Sequence, residues 1–319
     1  MTGGAGFIGS TLCDALLANG DRVVALDNLD TGNRDNLRSA LLCDRFRLVI
    51  GDVCDQEVVE ELVGPADAVV HLAARIGLRL VIESPYKTLE ANVKGTDVVA
   101  KAAARYGTRT IVASTSEVYG LTTRFPSSEA DPISFGSPLK GRWSYACAKA
   151  YDEFLTLALH RESNLPATVV RLFNTVGPRQ AGRYGMVLPR FVAQALSGAP
   201  LTVYGEGRQT RCFCHVGDVV GALITMLGDN RTIGDVFNLG NPSEIAILEL
   251  AQRVIELSNS PSSITFVPFS AAYESGFEEI VRRVPDITKI HEAIGFVPKT
   301  GLDEIIMSVV GSLREKEYA

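Results

Sequence analysis

Short apolar runs alternate along the chain with longer stretches in which apolar residues recur every three or four positions. The helical periodicity is clearest in the segments 56–63 and 90–106. The strand-like runs, each rich in aliphatic residues and followed by small or polar ones, are 22–26, 46–50, 68–74 and 109–113. Strands that alternate with helices predict a parallel sheet with right-handed crossovers, which is a doubly wound α/β fold.

The second half of the chain alternates less regularly. Residues 168–173 and 236–240 are predicted as further strands of the same sheet. A smaller second domain is predicted from two other stretches, the glycine-, proline- and arginine-rich residues 177–215 and the C-terminal residues 246–319. It is predicted to share a cleft with the first domain. The predicted domains are 1–176 plus 216–245 and 177–215 plus 246–319.

A glycine-rich turn opens the chain and leads into the first predicted helix. Glycines at positions 3, 6 and 9 permit a tight turn, close approach of the backbone to a pyrophosphate and close packing of helix on strand. The helix N-terminus also favours anionic phosphates. After the next strand comes Asp27, placed to hold the hydroxyls of an adenosine ribose. Because this acid repels a 2′-phosphate, the predicted cofactor is NAD rather than NADP.

The first strand is expected to be truncated in this sequence. A dinucleotide-binding turn follows a strand, but only Met1 and Thr2 precede the glycines. In a doubly wound sheet that strand is central and both of its faces are buried. We therefore expect codons upstream of Met1 to encode several more apolar residues; the alternative is a chain that has lost a central strand.

The carboxyl ends of parallel strands form the edge where such sheets bind their ligands. Asp52, the segment 72–74 and Thr115 lie at predicted strand ends. His71 lies within an apolar strand and is predicted to be a core residue rather than a catalytic one.

Composition and charge exclude several classes of function. The 319 residues are 46% hydrophobic and 21% charged, as in soluble α/β proteins. A net charge of -6 argues against a nucleic-acid partner, because phosphate neutralisation requires a basic face. No apolar run approaches the roughly 20 residues that span a bilayer, and no secretory leader is evident. We expect a cytoplasmic protein without a membrane partner. The six cysteines lack metal-ligand spacing and are predicted to be buried thiols, with no metal site.

Tyr145 and Lys149 are four residues apart in a predicted amphipathic helix, so they share one face of it. Free tyrosine titrates near pH 10, and a fixed ammonium beside the phenol is expected to lower its pKa toward the working pH. The phenolate would be a general base. The same spacing also occurs by chance in ordinary helices with a solvated lysine.

Many ordered motifs resemble those of the extended short-chain dehydrogenase/reductase family, and most closely its nucleotide-sugar epimerases and dehydratases. Together they extend over essentially the whole chain. They lie at 2–9, 71–74, 92–96, 114–120, 145–149, 171–179, 201–205 and 211–216. The resemblance implies a Rossmann fold with NAD as cofactor, a smaller C-terminal substrate domain and a UDP-sugar as substrate.

In this family the tyrosine phenolate removes a proton from a sugar hydroxyl while the carbon beneath gives a hydride to NAD. The resemblance therefore implies that Thr115, Tyr145 and Lys149 are catalytic. Thr115 would hydrogen-bond the same hydroxyl, and Lys149 would hold the nicotinamide ribose. Asn174 and Arg211 match positions that hold the diphosphate of the sugar nucleotide, where a forked guanidinium suits phosphate oxygens.

The resemblance and the strand-end positions together define the predicted ligand-binding residues. Those for the cofactor are Gly3, Gly6, Phe7, Ile8, Gly9, Asp27, Asn28, Asp52, Val53, Leu72, Ala73, Ala74, Asn92, Tyr145 and Lys149. Those for the substrate are Thr115, Ser116, Glu117, Asn174, Arg179, Val187, Tyr204, Arg211 and Arg283. For Arg283 a solvated surface role is an equal alternative.

The choice of reaction depends on residues near these motifs. The family's 4,6-dehydratases carry Asp-Glu after the threonine, whereas Ser116 and Glu117 follow it here. UDP-glucuronate decarboxylases share Thr-Ser-Glu but have an arginine where this chain has Met186. The resemblance therefore favours 4-epimerisation through a 4-keto intermediate, from UDP-glucuronate to UDP-galacturonate. A UDP-glucose 4-epimerase, and then a UDP-glucuronate decarboxylase, are the alternatives.

Without an arginine at position 186, Arg179 and Arg183 are expected to hold a uronate carboxylate, although Arg183 is equally well interpreted as a solvated loop residue. Outside these enzymes, the alternatives are a non-catalytic NAD-sensing scaffold and a reductase that releases NADH. The family resemblance also implies a homodimer that pairs through two helices, one of which carries Tyr145.

Overall fold

The computed structural model of the chain describes residues 1–77, 84–180, 182, 186–272, 278 and 280–317. The described strands are β1 (Val23–Asp27), β2 (Phe46–Ile50), β3 (Ala68–His71), β4 (Arg109–Thr115), β5 (Ala167–Leu172), β6 (Thr175–Val176), β7 (Leu201–Tyr204), β8 (Thr210–Cys212), β9 (Cys214–His215), β10 (Val236–Leu239), β11 (Glu244–Ala246) and β12 (Ile264–Val267).

The described α-helices are α1 (Phe7–Ala18), α2 (Gln56–Val63), α3 (Pro85–Tyr106), α4 (Trp143–Ser163), α5 (Val187–Leu196), α6 (Val216–Leu227), α7 (Ile247–Ser258), α8 (Phe269–Ala272), α9 (Thr288–Ile294) and α10 (Leu302–Glu317). Short 3₁₀ helices span Arg34–Leu37, Ala40–Leu42, Ser116–Tyr119 and Asn230–Thr232. Helix α3 begins earlier than the predicted residue 90, since Pro85 lies in its first turn, where a missing N–H costs nothing.

The central sheet is parallel and doubly wound, as predicted. Its order is β2-β1, then residues 1–2, then β3-β4-β5-β10. Thr2 forms parallel bridges to Leu26 on one side and His71 on the other. The two residues before the glycine turn therefore occupy the central position of the sheet, where the turn motif predicts a strand.

Helices cover both faces of this sheet, and neighbouring residues of β3 face opposite layers. Val70 packs in a core with Leu12 of α1 and Val219 of α6. Val69 packs in the other layer, with Val59 of α2, and helix α3 completes that layer. Both faces of the strand are thus buried, which explains its continuous apolar run.

A separate core lies in the predicted second domain, where α5, α7 and α10 pack with β7. Leu188, Leu201, Leu250 and Val309 are buried in it. One helix of the predicted second domain packs in the core of the sheet domain. Helix α9 was assigned to the second domain, but its Ile290 is buried in the core of the sheet domain. The division into two domains otherwise stays a prediction.

A buried ion pair ties helix α4 to the sheet. Glu153 accepts hydrogen bonds from Arg171 of β5, at 2.9 Å from Nε and 2.7 Å from Nη2. The Ser114 hydroxyl of β4 donates to the same carboxylate at 2.5 Å. These contacts hold the helix that carries Tyr145 and Lys149 against the ends of two strands.

The cysteine prediction is only partly correct. Cys13, Cys212 and Cys214 are buried, whereas two others are of intermediate exposure. Cys147 is exposed, because it is two residues from both Tyr145 and Lys149 and so lies on the opposite face of α4. Among the described helices, none combines the length and apolar character needed to cross a membrane.

Candidate active site

A cavity of about 850 Å³ lies beyond the carboxyl ends of the central strands. Its walls bring together parts of the chain that are far apart in sequence. They come from the glycine turn, the ends of β1 to β5, the N-terminal part of α4, the segment after β5 and Arg283.

The glycine turn forms one end of the cavity and fits a dinucleotide phosphate. Gly3 has φ of +69°, and a Cβ on Gly9 would lie 2.1 Å from the Gly3 carbonyl oxygen, so neither position accommodates a side chain. Gly6 caps α1, and within the described part of the chain no side chain caps the first amides of that helix. These free N–H groups, beside Phe7 and Ile8 in the cavity wall, suit an anionic diphosphate.

Two acids follow this turn along the cavity. Asp27 is 7% exposed and accepts from the backbone N–H of Ala5 at 2.9 Å and of Leu29 at 2.8 Å. Asn28 donates to Asp52 at 3.0 Å. Burial raises the pKa of Asp52, but hydrogen bonds from the Cys54 N–H and Asn28 outweigh this effect and hold the pKa below its usual value. Asp27, the acid predicted to hold the adenosine ribose, is thus held in place by two backbone N–H groups.

Asn92, predicted to contact the cofactor, supports the loop after β3. It is 1% exposed and does not line the described cavity. Its side chain accepts from the Arg75 N–H at 2.7 Å and donates to the Arg75 carbonyl at 3.3 Å. The loop residues 72–74, together with Val53, do line the cavity. Asn92 therefore acts through the backbone that it holds.

The three predicted catalytic residues lie in one wall of the cavity with Ser116 and Glu117. Thr115 ends β4, and its hydroxyl accepts from the Glu117 N–H at 3.3 Å, which caps the short 3₁₀ helix that follows. Tyr145 is 8% exposed and Lys149 is 3% exposed. The i, i+4 spacing thus places phenol and ammonium in the same cavity wall, and their catalytic roles stay predictions.

The expected lowering of the Tyr145 pKa is wrong for the protein without ligands. Burial raises the pKa of this phenol, and the carboxylates of Glu117 and Asp152 raise it further. A hydrogen bond with Thr115 and the charge of Arg283 oppose the rise without reversing it. The expectation fails because the phenol is buried beside carboxylates that the spacing rule does not include.

The sugar-side residues have partners within the protein. Asn174 donates to the Cys212 carbonyl at 2.9 Å. Arg179, predicted to hold the substrate, lines the cavity but pairs with Asp14 of α1 at 2.6 Å. Arg283 lies 3.3 Å from Glu117. Arg179 is therefore paired with an acid of α1, whereas Arg283 is paired with Glu117, which lines the cavity beside Ser116.

Three predicted substrate residues lie outside the described cavity. Val187 begins α5 and packs against the core of the second domain. Tyr204 ends β7, with the Arg190 guanidinium 4.2 Å from its ring centroid. Arg211 donates to the carbonyls of its own neighbour, residue 210, at 2.7 Å and of Val281 at 3.4 Å. Arg183, a predicted partner of a uronate carboxylate, lies outside the described residues.

Sequence reasoning missed part of the cofactor end. Asp30, Gly32 and Asn36 line the cavity, and the Asn36 amide donates to the Ala5 carbonyl of the glycine turn at 3.0 Å. The polar, glycine-containing stretch after Asp27 was the available signal, since such a loop at a strand end usually contacts the ligand. Asp152 was also missed, although it lies one turn after Lys149.

The chain is similar to known proteins over nearly its whole length. Residues 1–240 match the model of the NAD dependent epimerase/dehydratase family. The chain is 40% identical over 318 residues to the UDP-N-acetyl-alpha-D-glucosaminuronate decarboxylase of Bacillus cytotoxicus, covering 99% of this chain and 98% of that protein. It is 38% identical over 320 residues to UDP-glucuronic acid decarboxylase 2 of Arabidopsis thaliana, covering 100% of this chain and 68% of that protein.

A solved structure is similar over nearly the whole chain. The UDP-glucuronic acid 4-epimerase of Bacillus cereus, in complex with UDP-glucuronic acid and NAD, is 27% identical with a TM-score of 0.89, covering 99% of this chain and 98% of that one.

We predict that Gly9→Ala weakens NAD binding at least about tenfold, because the added methyl cannot fit beside the Gly3 carbonyl without moving the turn. Isothermal titration calorimetry with NAD measures this. Gly221→Ala is the matched control, since it also lies in a helix but its Cβ meets open space. Wild-type affinity in Gly9→Ala would show that the turn does not hold the diphosphate.

We predict that Tyr145 stays protonated up to about pH 10 in the ligand-free protein, since its pKa lies above the usual value. Adding NAD, whose nicotinamide ring is cationic, should lower this pKa. The difference in tyrosinate absorbance between wild type and Tyr145→Phe isolates the one residue, with circular dichroism as the check on folding. Ionisation near neutral pH without NAD would contradict the effect of burial.

Proposed function

Because the chain belongs to the NAD-dependent epimerase/dehydratase family and NAD is its cofactor, we propose that it catalyses the decarboxylation of a UDP-hexuronate. The curated relatives quoted above are decarboxylases of such sugars, at 38–40% identity over nearly the whole chain. They support this reaction better than the 4-epimerisation that the motifs favoured. The cytoplasmic location stays a prediction.

The observation that carries this proposal is the pair formed by Arg283 and Glu117. The case for epimerisation rested on Met186, which cannot steer an anion. Arg283, however, lines the same cavity, with its Nη1 3.3 Å from Glu117 Oε1, and its charge lowers the pKa of Tyr145 against the larger effect of burial. A cation therefore reaches the sugar end of the cavity from a distant part of the chain.

The first step is oxidation of the sugar at C4. The Tyr145 phenolate takes the proton of the 4-hydroxyl, and the Thr115 hydroxyl hydrogen-bonds the same oxygen. When bound, NAD supplies the acceptor for the hydride that leaves C4. The product has a ketone at C4, so the carboxylate carbon C6 lies β to a carbonyl group.

The second step breaks the bond between C5 and C6. Its electron pair moves onto the C4 oxygen, carbon dioxide leaves, and the enolate oxygen is stabilised by hydrogen bonds from the Tyr145 phenol and Thr115. Arg283 turns the carboxylate out of the ring plane, which aligns the breaking bond with the ketone. Water supplies the proton that C5 gains, and Glu117, the side-chain carboxylate at this end, relays it. Return of the hydride to C4, and of the proton from Tyr145 to the C4 oxygen, completes a UDP-pentose, and NAD is not consumed.

A 4-epimerase is the second candidate, and two observations favour it. Met186 lines the cavity, and the similar solved structure is a UDP-glucuronic acid 4-epimerase. In that reaction the same ketone keeps its carboxylate in the ring plane. It then turns over in the site and receives the hydride on its other face.

Product analysis decides between these reactions. We predict that UDP-glucuronate or its 2-acetamido analogue releases carbon dioxide and yields a UDP-pentose, while UDP-glucose is not converted. Mass spectrometry and proton NMR identify the products. Tyr145→Phe is the control, with turnover lower by the roughly 10²–10⁴-fold of a lost general base. UDP-galacturonate as the main product would assign the chain to the 4-epimerases, and NAD binding without turnover would indicate a non-catalytic scaffold.

We predict that Arg283→Met lowers kcat/KM for the hexuronate by about 10²-fold, because a carboxylate loses its charged partner in a buried site. The rate of carbon dioxide release measures this. Arg179→Met is made in parallel, and its effect should be smaller since Arg179 pairs with Asp14. A larger loss in Arg179→Met would assign the carboxylate to Arg179, as the sequence suggested.

We also propose that the chain forms a homodimer through α3 and α4. The support is on the outer face of α4, where Tyr151 is 45% exposed and Phe154 is 66% exposed. Analytical ultracentrifugation tests this proposal, and a monomer at micromolar concentration would contradict it.

A further inference from the structure

A buried carboxylate lies behind the predicted catalytic lysine. Asp152 accepts a hydrogen bond from Lys149 Nζ at 3.0 Å, and the two side chains are 0% and 3% exposed. Lys149 lines the cavity, but Asp152 does not. The carboxylate therefore holds the ammonium from the protein interior, on the side away from a ligand. The proposed reaction steps do not use it.

A row of polar side chains leads from the central strand to this carboxylate. The Thr2 hydroxyl accepts from the Ala73 N–H at 3.2 Å and lies 2.8 Å from Nδ1 of His71. The other ring nitrogen, Nε2, lies 3.0 Å from the Thr96 hydroxyl. Burial raises the pKa of Asp152, and both Lys149 and the Thr96 hydroxyl oppose the rise.

The protons in this row are assigned by elimination. Burial, with the charge of Lys149, lowers the pKa of His71 to about 3, so the ring is neutral and carries one N–H. The Thr96 hydroxyl hydrogen-bonds to the Asp152 carboxylate, which can only accept, so its one proton is used there and it accepts from the His71 ring. The His71 proton is then on Nε2 and donates to Thr96. Nδ1 then accepts from the Thr2 hydroxyl, so each donor in the row points toward the carboxylate.

The far oxygen of the carboxylate is open to this donor. Oδ1 of Asp152 is buried and accepts no hydrogen bond of standard geometry within the described residues. The Thr96 hydroxyl is 0% exposed, and its hydrogen bond to the carboxylate opposes the rise in the Asp152 pKa. The hydrogen bonds from Lys149 and Thr96 favour the ionised form of this buried acid.

We propose that Asp152 is a positioning residue for the Tyr145–Lys149 pair, held in its ionised form and orientation by the row Thr2, His71 and Thr96. Lys149 has three N–H donors, and within the described part of the chain Asp152 takes one of them. The other two remain for the ligand hydroxyls that enter the cavity. The proposal rests only on oxidation at C4, which the decarboxylase and the epimerase share.

The neighbouring acid does not replace Asp152. Glu153 raises the pKa of Asp152, but its own carboxylate is bound by the Arg171 guanidinium at 2.7 Å. Its charge is therefore balanced within the ion pair that holds α4 to the sheet. Lys149 is left with Asp152 as its buried counter-charge.

Asp152 has a second effect that makes the proposal testable. Burial raises the pKa of Tyr145 most, the charge of Glu117 comes second and the charge of Asp152 third, while the charge of Arg283 lowers this pKa. Removing the charge should therefore make the phenolate easier to form, even though Lys149 is no longer held. A residue with only a structural role would not produce this combination.

The test compares Asp152→Asn with wild type. We expect the Kd for NAD to rise about fivefold to tenfold and kcat to fall about 10- to 100-fold, with KM for the UDP-sugar changed less than about threefold. The acid limb of the pH profile of kcat/KM should shift down by about one unit, as expected for one charge removed several ångströms away. Asp97→Asn is the matched control, since its Lys101 pair at 2.8 Å is on the surface.

If Asp152→Asn does not fold, the variants Thr96→Val and Thr96→Ser test the proposal instead. Valine keeps the shape and loses the hydroxyl, so it should weaken NAD binding and turnover in the direction of Asp152→Asn, while serine should retain both. Unchanged NAD affinity and pH profile in Asp152→Asn or, in its absence, in Thr96→Val would overturn the proposal. A variant that loses stability but keeps the wild-type NAD affinity and pH profile would also overturn the proposal. If wild type converts no UDP-sugar, the proposed function fails, but the NAD affinities still decide the role of Asp152.

Discussion

The position of helix α4 against the sheet depends on one buried ion pair. Glu153 receives two hydrogen bonds from Arg171 and one from Ser114, so it joins the helix to two strands at once. Removing one partner of such a pair commonly costs about 3–5 kcal/mol, because a charge is left buried without compensation. Tyr145 and Lys149 lie on the preceding turns of the same helix. Their distance from the strand ends therefore follows from a contact that has no part in the chemistry.

Charges in the site are arranged as pairs whose members face different surroundings. Lys149 faces the cavity while Asp152 is enclosed in the protein. Glu117 and Arg283 form the other pair, at the sugar end. Since Tyr145 is buried near both acids, its ionisation reports the balance of these pairs together with burial. A bound cofactor with a cationic ring would change that balance in favour of the phenolate.

The difference between decarboxylation and epimerisation is one of orientation. Both reactions pass through the same 4-keto hexuronate, and they diverge in how the carboxylate is turned relative to the ring. An aliphatic side chain at Met186 therefore does not exclude loss of carbon dioxide when Arg283 supplies a cation from another segment. The residue type at one cavity position therefore says little about the reaction when a residue distant in sequence supplies the charge beside it.

The local patterns of the sequence determined the fold and the ends of the cavity. Strand and helix periods predicted a doubly wound sheet, and the glycine turn and Asp27 were predicted to share one site, as they do in the cavity lining; their contacts with NAD stay a prediction. The spacing of Tyr145 and Lys149 predicted their common face. Such inferences succeed because they depend on backbone geometry within a few residues.

Only the tertiary structure decided which groups surround those residues. It joined Asn92 to the backbone of Arg75, left Tyr204 and Arg211 outside the described cavity, and placed Arg283 beside Glu117. The physical reason is that burial and charge act through space. A pKa, or the partner of an arginine, is set by residues from several distant segments, and no local spacing in the sequence records them.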